Sequence, residues 1–140
     1  MPRMTLGHVA IGARDAESVA AFYRDALGLP EAFRLNREDG SLWIIYLDAG
    51  GESFLEVIAT GDAPEPARPV RTGLIHLCLA VGDLDAEVAR LASLGVTLTR
   101  PVGRGRDGNR QAWVADPEGN PVELMELASD GLQGKYRSGA

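Results

Sequence analysis

Two histidines occur in the chain, His8 and His76, and each opens a short apolar run: His8-Val9-Ala10-Ile11 and His76-Leu77-Cys78-Leu79. Two glutamates, Glu56 and Glu123, interrupt other apolar segments, Phe54-Leu55-Glu56-Val57-Ile58 and Val122-Glu123-Leu124-Met125. A carboxylate that points inward from such a strand is costly unless it is paired or meets a cation. Two imidazole nitrogens and two carboxylates suit a borderline divalent ion, Ni, Co, Zn, Mn or Fe, better than Ca or Mg. Two waters would complete an octahedron and leave positions open for a substrate. His8, Glu56, His76 and Glu123 are therefore the expected metal ligands.

What ties the four together is an internal repeat. His8 maps to His76 at 76 − 8 = 68, and Asp15 maps to Asp83 at the same offset. Gly28 maps to Gly95 at 95 − 28 = 67, so the second copy is one residue shorter between these points. Glu56 maps to Glu123 at 123 − 56 = 67, within a longer match in which Tyr46 meets Trp113 and Phe54 meets Pro121. A pseudo-twofold axis between two such copies would bring one histidine and one glutamate from each to a common point.

The elements that must position these residues follow the same repeat. Alternation predicts a strand over 6–12. Asp15 is a plausible N-cap, and Val19, Phe22, Tyr23, Ala26 and Leu27 give a helical face over 16–27, stopped by Gly28. Three strands follow, over 32–35, 42–48 and 53–58. The second copy repeats this with a strand over 74–81, a helix over 84–94 and strands over 97–102, 110–115 and 121–127. Asp107-Gly108-Asn109 and the run from Asp116 to Asn120 read as turns. The expected fold class is α+β: two tandem βαβββ modules forming a curved, barrel-like mixed sheet around a metal cavity. The first module takes residues 1–60, a linker 61–73, the second module 74–127 and a mobile tail 128–140.

The chain has 140 residues, with 20 acidic and 14 basic side chains and a formal net charge of −6. This balance and the lack of a basic run argue against nucleic acid or an anionic membrane as partner. No stretch approaches the length of a membrane span, and the N-terminus is too poor in apolar residues for a signal peptide, so a cytoplasmic location is expected. The single cysteine, Cys78, lies in an apolar run and reads as a buried structural thiol.

Several segments resemble the vicinal oxygen chelate superfamily, the fold shared by glyoxalase I, methylmalonyl-CoA epimerase, extradiol dioxygenases, and fosfomycin and bleomycin resistance proteins. They are His8-Val9-Ala10-Ile11 ahead of Phe22-Tyr23 and Leu27-Gly28-Leu29, then His76-Leu77-Cys78-Leu79, then the run from Asp116 through Glu123 to Leu124. The ligand order His, Glu, His, Glu is similar to bacterial-type glyoxalase I. The resemblance implies a lyase or isomerase that moves a proton through a metal-bound enediolate of a small vicinal-oxygen substrate. Glu123 would carry the proton, with Glu56 as its pseudo-symmetric partner. It also implies a homodimer in which His8 and Glu56 of one chain meet His76 and Glu123 of the other. The alternatives of the same fold are an Fe(II)-dependent dioxygenase and a protein that sequesters an antibiotic or metabolite.

Two positions depart from glyoxalase I. The family has an arginine where Gly12 stands and an asparagine where Thr60 stands, and both grip glutathione there. Their replacement implies that the substrate is not the glutathione hemithioacetal, or that it is held differently. Trp43, Tyr46 and Trp113 are candidates to line an apolar pocket. Arg110 is a candidate for a substrate anion, or else an exposed turn arginine.

Overall fold

The computed structural model describes residues 3–61 and 72–139, and it divides into two compact units, Met1–Pro66 and Ala67–Ala140. Most of the expected linker, residues 62–71, lies outside the described residues. In the first unit the order is β1 (His8–Ala13), α1 (Ala16–Ala21), a π-helical turn (Phe22–Ala26), β2 (Glu31–Asn36), β3 (Leu42–Asp48) and β4 (Phe54–Ala59). The second unit runs β5 (Leu77–Val81), α2 (Leu84–Ser93), β6 (Arg100–Arg104), β7 (Arg110–Ala115), β8 (Pro121–Glu126) and α3 (Leu132–Ser138). The two four-stranded mixed sheets have matching topologies, β1-β4-β3-β2 and β5-β8-β7-β6. In each, the first strand pairs parallel with the last and the other pairs are antiparallel. The fold is α+β, two tandem βαβββ modules with curved sheets that do not close into barrels.

Each sheet buries one face under its helix. In the first unit α1 packs on β1, β3 and β4, and Val19, Ala20 and Tyr23 are buried together with Ile45, Leu47, Leu55 and Val57. In the second, α2 packs on β7 and β8, burying Leu84 and Leu91 with Ala112, Val114, Val122 and Leu124. At about 1.5–3 kcal/mol for each fully buried Val or Leu, this face supplies most of each unit's cohesion. Strand alternation then directs the other side chains to the opposite, open face.

The residue missing from the second repeat leaves a visible trace. From N-cap to terminal glycine the first copy spans 28 − 15 = 13 residues and the second 95 − 83 = 12. Both ends are equivalent: Asp15 accepts a 3.0 Å hydrogen bond from the Ser18 N–H, Asp83 accepts one of 3.0 Å from Ala86, and Gly28 and Gly95 take φ of +75° and +79°. The extra residue is absorbed between them. The helix expected over 16–27 is α-helical only to Ala21, and the Leu27 N–H then donates to the Phe22 carbonyl five residues back, at 3.1 Å. A π-turn of this kind accommodates one residue more than an α-turn.

Other expectations are shifted. The strand expected over 97–102 is found at Arg100–Arg104, on a sheet edge where Pro101 can sit without an N–H to donate. Residues after 127, expected as a mobile tail, include α3. The Leu132 N–H donates to the Asp107 carbonyl at 2.8 Å, and the Gln133 amide nitrogen donates to the Asp107 carboxylate at 2.9 Å. Buried Asn109 completes this tie by donating to Gln133 Oε1 at 2.7 Å and accepting from the Ala128 N–H at 2.9 Å. No helix among the described residues is long and apolar enough to cross a membrane.

Candidate functional site

On the open face of the first sheet, Ala10 of β1, Glu56 of β4 and Tyr46 of β3 are register partners in one row. His8 lies two residues before Ala10 on the same face, and its Nε2 stands 2.8 Å from Glu56 Oε2. The second sheet repeats the row as Cys78, Glu123 and Trp113. His76, again two residues earlier, places Nε2 3.1 Å from Glu123 Oε2. The four predicted ligands thus form two equivalent pairs, one in each unit. Among the described residues no group of three or more His, Cys, Asp or Glu side chains gathers at one point.

The donor chemistry of each pair fits a divalent ion. Metal–nitrogen and metal–oxygen bonds of roughly 2.0–2.2 Å at right angles put neighbouring donor atoms about 3 Å apart. The two observed separations match that spacing. His8 and Glu56, and likewise His76 and Glu123, have the nitrogen and oxygen types that borderline cations prefer.

The surroundings of the two pairs differ. Glu56 is nearly buried, its side chain 8% exposed against 15% for Glu123. Beside it Tyr46 stacks on Phe33 with ring centroids 4.3 Å apart, and Phe54 meets both rings edge-on. Burial first, and the Glu56 charge second, raise the Tyr46 phenol above its ordinary value. In the second unit the His76 ring meets Trp113 edge-on at 4.6 Å, and the Trp113 Nε1–H donates to Gln111 Oε1 at 3.2 Å. The Arg100 guanidinium lies over the Trp113 ring, 5.0 Å from its centroid. Of the pocket candidates, Tyr46 and Trp113 therefore flank the pairs. Trp43 sits one residue out of phase with Ile44 and Tyr46, beside Asn36, Arg37 and Glu38 in a separate open depression of about 450 Å³.

Three other sequence-based expectations meet the geometry. Cys78, expected buried, is exposed on the open face as the register partner of Glu123. Enough protein still packs around its sulfur that burial, followed by the Glu123 carboxylate, pushes the thiol up to about 11. It is a protonated thiol at neutral pH and a poor nucleophile. Arg110, a candidate for a substrate anion, is instead held by both Asp85 oxygens at 2.6 and 3.1 Å, with Glu126 at 3.8 Å. Gly12 and Thr60 are neighbours: a Cβ placed on Gly12 would meet the Thr60 methyl at 3.0 Å. Arg100 was not singled out from the sequence. The offset of 100 − 33 = 67 that pairs it with Phe33 is the signal that could have found it.

Comparison with known proteins agrees with this architecture. Residues 5–124 match the glyoxalase/bleomycin resistance protein/dioxygenase superfamily. The chain is 36% identical to the uncharacterized protein YaeR of Escherichia coli (strain K12), over 85% of this chain and 93% of that one. It is 26% identical to a lactoylglutathione lyase of Pseudomonas aeruginosa, over 91% of this chain and 85% of that enzyme. A solved glyoxalase family protein from Enterococcus faecalis superposes with a TM-score of 0.74 at 27% identity, covering 87% of this chain and 97% of the other. From its repeated sheets to its matched sequence, the chain belongs to the glyoxalase/bleomycin resistance protein/dioxygenase superfamily.

Proposed function

We propose that the protein is a metal-dependent lyase or isomerase of the glyoxalase type, acting on a small substrate with two neighbouring oxygens. The observation that carries this reading is the pair of equivalent donor sets, His8 Nε2 with Glu56 Oε2 at 2.8 Å and His76 Nε2 with Glu123 Oε2 at 3.1 Å. His8, Glu56, His76 and Glu123 would hold one divalent ion, Ni, Co, Zn, Mn or Fe, and the expected assembly is a homodimer. When bound, the ion would supply Lewis-acid polarisation of the substrate oxygens, which acidifies the C–H next to the carbonyl.

The chain's own groups then divide the work. Glu123, the more exposed carboxylate, would take the proton from carbon while the C–H electron pair moves toward the adjoining carbonyl, and return it to the neighbouring carbon as the hydroxyl proton passes from the first oxygen to the second. Glu56, nearly buried between His8 and Tyr46, is the less mobile ligand. The glycine and threonine at 12 and 60 lie against each other and offer neither a guanidinium nor an amide to a glutathione carboxylate. A hemithioacetal of another thiol, or a substrate without thiol, fits this site better.

Metal analysis of protein purified without chelators, with assays of methylglyoxal and several thiols, tests the reading. The expected result is one divalent ion per His₂Glu₂ set and metal-dependent isomerisation that glutathione does not uniquely support. Stoichiometric iron with oxygen uptake, or no tightly held metal, would overturn it.

A further inference from the structure

Beyond the row that holds each glutamate, the next row of the open face differs between the units. In the first unit it reads Gly12, Ile58 and Ile44, and buried Ile44 has Leu35 as its partner on β2. In the second it reads Ala80, Met125 and Gln111. Gln111 is the counterpart of Ile44, at 111 − 44 = 67. Its partner on β6 is Gly103, which contributes no side chain to cover it, and Gln111 is half-buried. The repeat thus sets a primary amide where its own symmetry calls for isoleucine, one row from Glu123.

This amide is oriented. An indole N–H can only donate, so the 3.2 Å contact from Trp113 Nε1 fixes the receiving atom of Gln111 as Oε1 and leaves the NH₂ group at the other end. Among the described residues that NH₂ group has no hydrogen-bond acceptor. It borders a corner kept open by a glycine. A Cβ placed on Gly105 would stand 3.2 Å from Gln111 Nε2 and 2.8 Å from Asp107 Oδ1. An N–H donor and a carboxylate oxygen therefore border the same space. Asp107 Oδ1 accepts the Asn109 N–H at 3.1 Å, while Oδ2 accepts from the Asn109 and Gln133 amides at 3.0 and 2.9 Å. A carboxylate oxygen accepts more than one hydrogen bond, so Oδ1 retains capacity. A hydroxyl both donates and accepts and satisfies the two groups together. A methyl satisfies neither, and an anion meets the Asp107 charge.

We propose that Gln111 Nε2 and Asp107 Oδ1 bind a hydroxyl of the substrate, making the natural substrate a hydroxylated vicinal-oxygen compound. The inference deepens the reading of the reaction given above and rests on it for the word substrate. The hydroxyl site itself can be tested without turnover.

Isothermal titration calorimetry of the metal-replete protein with gluconohydroxamate and with hexanohydroxamate makes the test. Both carry the same chelating head and the same number of carbons, and only the first is hydroxylated along its chain. Gluconohydroxamate is expected to bind more tightly. Gln111→Leu should weaken it roughly three- to tenfold, the effect of losing one neutral hydrogen bond, without weakening hexanohydroxamate. Gln111→Glu, which keeps an acceptor for Trp113 and removes the NH₂ donor, should lower the same preference. Metal content and sedimentation should be unchanged in both variants. An undiminished preference in both variants, tighter binding of hexanohydroxamate by the unaltered protein, or no saturable binding of gluconohydroxamate would overturn the proposal. So would a parallel loss of both ligands in Gln111→Leu with unaltered binding in Gln111→Glu, which would assign Gln111 to holding Trp113 alone. Binding of both hydroxamates that is indifferent to removal of the metal would sink the proposed reaction. A hydroxyl preference that the variants still erase under those conditions would leave this site standing.

Discussion

The first module sets two phenyl rings and a phenol beside its histidine–glutamate pair, and the second sets an indole, an amide and a guanidinium beside its own. Phe33, Tyr46 and Phe54 pack on one another, with Tyr46 the register partner of Glu56, while Trp113, the register partner of Glu123, contacts Gln111 and Arg100. The histidines differ in the opposite sense to the glutamates: His8 is 59% exposed and His76 33%. A further difference begins at one substitution. The Phe54 N–H donates to the Gly7 carbonyl at 2.9 Å, extending the β1–β4 ladder beyond His8. The equivalent residue in the second module is Pro121, which has no N–H, and β5 begins only at Leu77, with His76 just outside the ladder. The lesson is that the ladder and the helix-covered face preserve the repeat, because a register slip would invert every side chain. The open face, free of that packing, is where the modules diverge.

The largest test of this contrast is chemical. Glu123→Gln should lower turnover roughly 10²–10⁴-fold, the range for removal of a general base, while metal is still bound. Glu56→Gln should instead appear chiefly as loss of metal. Measuring kcat and bound metal for both separates the roles, and identical losses would erase the functional difference between the modules.

The buried faces should behave alike. Leu47 and Leu124 are 0% and 2% exposed, and truncating either to alanine should cost about 2–5 kcal/mol in denaturant unfolding. A much smaller cost in one module would mark it as the looser half. The helix caps give a finer comparison. Asp15→Ala and Asp83→Ala should each lower stability by about 0.5–2 kcal/mol in thermal melts, since both carboxylates accept one N–H at 3.0 Å. A smaller loss at Asp15 would show that the π-turn, absent from α2, already loosens the first helix.

The smallest effect concerns a feature found only in the second module. Hydrogen bonds from Gln133, then from the Asn109 backbone and side chain, hold the Asp107 carboxyl below its ordinary value of 3.8. Its folded form is depressed, so the stabilisation is complete above that ordinary value and is lost as pH falls through the lower folded value. Amide exchange in α3 should therefore rise below about pH 4, ahead of exchange in β7 and β8. Asp107→Asn should remove that pH dependence.

Much of the molecule was legible in the residues alone. The offsets of 68 and 67 tie His8 to His76 and Glu56 to Glu123, and strand alternation then places each pair on one face. The caps Asp15 and Asp83 and the stops Gly28 and Gly95 bound both helices, because these signals act within one turn. Even the length difference between the helices could be counted. What could not be read was how the backbone absorbs it, since α and π turns differ in which carbonyl an N–H reaches and not in composition.

What only the tertiary structure decided were contacts between side chains from separate elements. Arg110 and Arg100 are both strand arginines in the sequence. One finds Asp85 on α2 and is neutralised, whereas the other lies over the Trp113 ring. Cys78 lies in an apolar run, yet it faces away from the helix and stands opposite Glu123. The segment after Leu127 acquires a helix where Asp107 and Asn109, about 25 residues earlier, receive Gln133. The sequence by itself determined the repeat, the α+β modules and the equivalence of His8 with His76 and of Glu56 with Glu123, because local periodicity and register carry that information. The contact of Arg100 with Trp113, the exposure of the thiol and the anchoring of the last helix depend on which groups meet through space, and the folded sheets alone set those distances.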